Sequence, residues 1–230
     1  MARHLFKRKG DDLPVLVIGL GRFGVAVCSS LIRQGREVLA VDVEAGRVQR
    51  HSDDFTHVVL ADATDEDALE QLGVQEFEHA VVAIGNDIEA SVLSTLSLAK
   101  AQVPNIWARA VSRSHGEILS RVGAHRVIYP ETSVGEQVAH AIVGGMSQYL
   151  EFEDGFAIAR LSAPRETWNK TFDQSGVRTK YGVTVVGVKR AGRDFIYAQP
   201  DTFVEPGDEF VVAGATRKIE TFCALTCERS

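Results

Sequence analysis

The stretch Val15–Val27, VLVIGLGRFGVAV, constrains the fold of this chain more than any other. A short apolar, β-branched run enters a turn whose glycines, Gly19, Gly21 and Gly24, stand at G-x-G-x-x-G spacing, and a helix-like segment leaves it. Gly19 permits the tight turn, Gly21 lets a phosphate approach the backbone, and Gly24 lets the helix pack closely on the strand. The helix start then offers unpaired N–H groups and the positive end of its dipole to an anion. Such a turn belongs between a strand and a helix of a parallel unit, so the rest of the sequence should supply more of both.

It does. Strands are expected at Pro14–Ile18, Glu37–Val41, His57–Leu60, Ala80–Ala83, Asn105–Ala108 and Arg126–Tyr129. Helices are expected between them, at Phe23–Arg33, Gly46–Ser52, Glu66–Leu72, Ile88–Ala101 and Gly116–Val122. Strands alternating with helices pair in parallel through right-handed crossovers, which gives an α/β domain, a doubly wound Rossmann-type sheet, over residues 13–130. Residues 131–150 form a linker: Val134, Val138, Ile142 and Met146 keep helical spacing, predicting one helix over 133–149. From 151 to 230 the texture changes to short strands between Gly and Pro turns, in DGFAIARLSAP, YGVTVVGVKRAG and PGDEFVVAG, with a closing helix in TRKIETFCAL. That is a smaller α+β domain, marginal alone and helped by pairing with a second copy.

Two acids fit a nucleotide seat. Asp42 ends REVLAVD eighteen positions beyond Gly24, where a carboxylate accepts hydrogen bonds from ribose hydroxyls and repels a 2′-phosphate. Asp62, in ADAT, follows the third strand and would border adenine with Ala63 and Thr64, or else cap the helix that follows. Arg22 sits at the helix start, where a forked donor adds little to a neutral nicotinamide ribose and more to a terminal phosphate. The alternative for Arg22 is a solvent-facing side chain on the first turn.

Bulk properties bound the function. The 230 residues are 45% hydrophobic and 24% charged, as in a soluble globular protein. No run reaches the roughly 18 apolar residues of a bilayer span, and MARHLFKRKG lacks the apolar core of a secretory leader. A cytosolic protein without direct membrane insertion is therefore expected. A net charge of −6 argues against nucleic-acid binding. The basic run Arg3, Lys7, Arg8 and Lys9, in a tail over residues 1–12, reads either as a solvated end or as a contact for an anionic surface. Three cysteines, Cys28, Cys223 and Cys227, read as reduced thiols, with Cys223 and Cys227 packed one helical turn apart.

Together VIGLGRFG, VD, ADAT, VVAIGNDIEASVLSTL, VPNIWARA, VGAHRVIYPE and PGDEFVVAG resemble the RCK domains (regulators of potassium conductance), in particular the stand-alone KtrA/TrkA-type subunits of bacterial potassium uptake systems. The resemblance runs from about Leu13 to Leu225. It implies two dimerising lobes, assembled as a homo-octameric ring of four dimers on the cytosolic face of a potassium-transporting membrane subunit of the KtrB or TrkH type. It also implies that ATP and ADP compete for the Rossmann cleft and that the ring changes shape with the nucleotide. By position, Gly19, Gly21 and Gly24 would hold phosphates, Asp42 the ribose, and Asp62 with Thr64 the adenine. Ile84, Gly85 and Asn86 would complete the seat, with Phe23 beside the turn. Arg22 would reach the γ-phosphate, Arg109 in WARA would add a cation, and Glu131 in YPE resembles the acid that holds a divalent cation, Mg2+ or Ca2+, across the dimer. Some relatives bind cyclic di-AMP between second lobes, and residues 181–188 lie in the corresponding region. The chain departs from the family's usual pattern at Ala61, where glycine is common, and at Tyr129, where histidine is expected.

The residues also favour a sensor over an enzyme. An NAD(H)-dependent oxidoreductase needs a proton-transfer group beside the nicotinamide, yet all seven histidines lie at or before His140, and Asp194, Asp201 and Glu205 show no paired arrangement. No P-loop is present. An NAD(H)-binding redox sensor or dehydrogenase is the rival, supported by the glycines and Asp42. A subunit that binds nucleotide only for structure is the third reading.

Overall fold

Six short β-branched runs and the helices between them build the first half of the chain. β1 (Val15–Ile18), β2 (Val38–Asp42), β3 (His57–Leu60), β4 (His79–Val82), β5 (Asn105–Arg109) and β6 (Arg126–Ile128) form one sheet in the order β3-β2-β1-β4-β5-β6. Every neighbouring pair is parallel. The connecting helices are α1 (Arg22–Arg33), α2 (Ala45–His51), α3 (Glu66–Gln71), α4 (Ile88–Lys100) and α5 (Arg113–Val122). The computed structural model describes residues 13–152 and 154–227. The basic run at residues 3–9 lies outside them.

Side-chain parity explains why these strands are nearly continuous apolar runs. Leu16 and Ile18 of β1 join Leu39, Val41 and Val82 in a core shared with Leu69 of α3, Leu98 of α4 and Leu119 of α5. Val15 and Val17 point the other way, joining Val38, Ala40 and Cys28 of α1. A parallel strand covered on both faces reads as a nearly continuous apolar run, and β1 and β2 are buried throughout, with Asp42 at the end of β2 the one charged member. Burial in this second core pushes the Cys28 thiol up to about 12. The α5 helix starts three residues before the expected Gly116, because Ser112 takes the N-cap and accepts from the His115 N–H.

The chain divides into two compact units, one ending at Glu131 and the next beginning at Thr132. The boundary falls inside α6 (Pro130–Gly144). The single helix expected over 133–149 is cut short: Gly145, at φ +61°, ends it, and Met146–Glu151 form β7. A left-handed residue at a helix C-terminus is the position glycine fills without strain.

In the second unit β8 (Phe156–Ser162), β9 (Lys170–Thr171), α7 (Phe172–Ser175), α8 (Val177–Tyr181), β10 (Thr184–Lys189), β11 (Phe195–Tyr197), β12 (Phe203–Val204), β13 (Glu209–Ala215) and α9 (Thr216–Cys227) follow. Five strands form an antiparallel sheet, β11-β10-β13-β8-β7, and β9 pairs with β12 separately. Ile219, Phe222 and Cys223 of α9 pack on Leu161, Phe210 and Val212; the Cys227 side chain lies outside the described residues. Glu205, which showed no chemistry in the sequence, pairs with Arg190 at 2.7 Å. Arg190 also donates from Nε and Nη2 to the two oxygens of buried Asp208, each at 2.8 Å.

Candidate nucleotide site

The order of strands reverses direction between β1 and β4, and the carboxyl ends of those two strands open the crevice in which doubly wound folds bind ligands. The glycine turn lies there. Gly19 has φ +98°, its N–H donates to the Val41 carbonyl at 2.7 Å, and a Cβ on it would lie 3.2 Å from Ala83 and Ile84. Gly24 faces back on the turn so closely that a Cβ would fall 1.8 Å from the Gly19 carbonyl oxygen. At Gly21, by contrast, a Cβ would meet nothing among the described residues within 4 Å. Two glycines are thus filled by the protein, and the third opens outward.

Gly21 is also the N-cap of α1 and carries no side chain to accept the first N–H groups. Asp65, Asp87 and Ser112 do that for α3, α4 and α5. The first turn of α1 has no acid, and exposed Arg22 places a cation against the positive end of the helix dipole. That arrangement costs stability alone and favours an anion at the helix start.

Asp42 is buried and oriented. Its Oδ2 accepts the Leu20 N–H at 2.6 Å, its Oδ1 accepts the Glu44 N–H at 2.8 Å, and Arg47 Nη1 lies 3.4 Å from Oδ2. The acid therefore ties the glycine turn to the end of β2. The loop after β3 adjoins it, since the Ala61 N–H donates to the Asp42 carbonyl at 3.2 Å. In that loop Asp62 is exposed and Ala63 buried. Asp62 accepts the Thr64 N–H and hydroxyl, and these bonds, the hydroxyl foremost, hold its carboxyl below the usual range. The helix-cap alternative for Asp62 is filled instead by Asp65, which accepts the Asp67 N–H.

Arg109 closes the other side. Its guanidinium lies over the Phe23 ring, 6.0 Å from the centroid, and against Gly85, where a Cβ would fall 2.1 Å from Nη1. Its Nη2 donates to the Glu131 carboxylate. Glu131, on the first turn of α6, is held below the usual carboxyl range by its own backbone N–H first, then by Arg109, with Arg22 adding its charge and burial opposing. Ile84 packs partly buried behind the turn, while Asn86 stands exposed on the loop after Gly85. Contacts thus join Gly19, Phe23, Gly24, Asp42, Ile84, Gly85, Arg109 and Glu131 around the crevice. Arg47 was missed: five residues past Asp42, on α2, it follows no helical or strand spacing from the acid.

Geometry of this kind defines a Rossmann-type nucleotide-binding domain carrying a small second module. The TrkA-N domain family matches residues 15–130, and the TrkA-C domain family matches residues 160–226. The chain belongs to the TrkA-type family of RCK-domain proteins. It is 38% identical to the Ktr system potassium uptake protein A of Bacillus subtilis over 90% of this chain and 93% of that protein. The crystal structure of the GsuK RCK domain shares the fold, with a TM-score of 0.67 and 19% identity over 97% of this chain and 50% of that one. The crystal structure of GsuK bound to ADP has a TM-score of 0.51 and 25% identity over 57% of this chain and 34% of that one.

Proposed function

We propose that the chain is the nucleotide-sensing regulatory subunit of a potassium-transporting membrane protein, and that ATP and ADP favour different conformations of its homo-oligomeric ring. The observation that carries this reading is the α1 N-terminus: uncapped, without an acid, and flanked by Arg22 and Arg109. A relative of the chain is a Ktr system potassium uptake protein, and a structural neighbour is bound to ADP.

The residues divide the work. The backbone at Gly19, Gly21 and Gly24 receives phosphates and Asp42 orients the ribose. Asp62, Ala63, Thr64, Ile84, Gly85 and Asn86 seat the base and sugar. Arg22 and Arg109 draw in the terminal phosphate, whose extra charge is what separates ATP from ADP. Among the described residues no three metal-ligating side chains converge, so Glu131 would hold a divalent cation only with phosphate oxygens or a second copy completing its shell. A difference of about 1–3 kcal/mol between conformations suffices to bias a ring without turnover. The protein binds and shifts; it does not catalyse.

Replacing Arg22 by alanine should narrow the gap between ATP and ADP affinities in calorimetry by about tenfold, and an unchanged gap removes Arg22 from the discrimination. Glu131→Gln should abolish the divalent-ion dependence of ATP binding; full retention assigns the cation other ligands.

Assembly rests on α6, whose Val134, Val138 and Ile142 are 56%, 52% and 77% exposed. A stripe so apolar and so open suits a second copy of the chain. No helix among the described residues is long and apolar enough to cross a membrane, and the ring would reach the cytosolic face through its membrane partner. Asp42 equally suits the ribose of NAD(H), the rival reading. Titration with ATP, ADP, NAD and NADH, with oligomer size followed alongside, separates the two: NADH outcompeting ATP overturns the proposal.

A further inference from the structure

Arg109 is already engaged by an anion of the protein itself. Its side chain is only 17% exposed, whereas that of Glu131 is 65% exposed. The guanidinium is held on two sides, by Gly85 beneath Nη1 and by the Phe23 ring, and its buried Nε has no partner among the described residues. Phe23 is the second residue of α1, so the guanidinium stands at the mouth of the glycine turn. Among the described residues its strong acceptor is the Glu131 carboxylate.

We propose that Glu131 is a resident competitor for phosphate: its carboxylate occupies the guanidinium that the terminal phosphate of a bound nucleotide takes, and the two anions exchange on Arg109. This rests on the nucleotide reading above and goes beyond it. Carboxylate and phosphate present the same paired oxygens to a guanidinium, so one substitutes for the other. Packing fixes which partner moves. Arg109 is wedged between Gly85 and Phe23, while Glu131 is exposed and free to swing away. The displaced carboxylate then stands beside phosphate oxygens, so arrival of the anion itself creates the seat for a divalent cation. A nucleotide whose phosphates stop short of Arg109 leaves the pair closed. The switch is therefore an exchange of acids on a fixed arginine, and the cation is recruited second.

The test is calorimetry of the full chain with ATP and with ADP in excess chelator. Glu131→Gln keeps the side-chain shape and removes the charge. Metal-free ATP should bind this variant about fivefold or more tightly than the unaltered protein, with a smaller gain for ADP, and adding Arg109→Gln should erase the gain. Equal or weaker metal-free ATP binding by Glu131→Gln overturns the exchange. A gain that survives in the double variant also overturns it, because general charge removal rather than release of Arg109 would then be responsible. Failure of every form to bind either nucleotide, with circular dichroism unchanged, overturns the nucleotide reading and the exchange with it.

Discussion

Gly24→Ala should destabilise the first unit by about 3 kcal/mol and weaken ATP and ADP binding at least tenfold. The new methyl group would lie 1.8 Å from the Gly19 carbonyl oxygen, 3.0 Å from its carbon and 3.2 Å from the Ala83 Cβ. The closest obstacles are backbone, so no rotamer relieves the clash; α1 must back away from the turn and take its N–H groups with it. Gly21→Ala is the control. It enters open space at φ −71°, so its stability cost should stay within about 1 kcal/mol, the difference between glycine and alanine at an N-cap. Under the proposed binding mode its methyl group points where phosphate would approach, so binding should fall. Unfolding followed by Trp107 fluorescence in a Trp168→Phe background, together with nucleotide titration, checks both. Wild-type affinity in Gly24→Ala would remove the close packing of Gly24 from the proposed phosphate seat.

Asp208→Ala should cost the second unit about 3 kcal/mol, the usual loss when one member of a buried ion pair is removed. Asp208 is 1% exposed and takes two guanidinium bonds from Arg190 together with the Glu205 N–H. Without it, Arg190 keeps Glu205 and the Phe203 carbonyl, and β10 loses its tie to the turn before β13. Burial pushes the Asp208 carboxyl up, but the Arg190 bonds, the Glu205 N–H and the charges of Arg190 and Arg193 together hold it below its ordinary value. The sign follows: stability from this pair is fully present above the unfolded carboxyl value of about 3.9 and is lost as pH falls through the lower folded value. Denaturant titrations from pH 6 to pH 2, read by Trp168 in a Trp107→Phe background, should show the acid-dependent loss shrinking in Asp208→Ala. An unchanged acid limb would place the loss elsewhere.

Much of the first unit is legible in the sequence because its causes are local. Strands buried on both faces read as Val and Ile runs, the turn reads from three glycines, and Asp42 is found from its distance to Gly24. What escapes depends on contacts far along the chain. Met146 continues the apolar spacing of Val134, Val138 and Ile142, so periodicity carries the helix through Gly145, whose left-handed backbone ends it. The short strands β9, β11 and β12 exist only through their partners, and two or three residues show no period. Arg190 and Asp208 stand eighteen positions apart, and only the folded sheet makes them neighbours. In the crevice the glycines and acids were readable, but the packing of Arg109 on Gly85, and hence its hold on Glu131, was not.

The bond from the Leu20 amide to Asp42 bears on any attempt to redesign the ligand preference. Swapping that acid for a neutral residue, the obvious route toward a 2′-phosphorylated cofactor, would also unfasten the glycine turn, to which we assign the phosphates. A gain at one end of the ligand would arrive with a loss at the other. Deuterium exchange at the Leu20 amide, slow while the rivet holds, would report the damage before any cofactor is added.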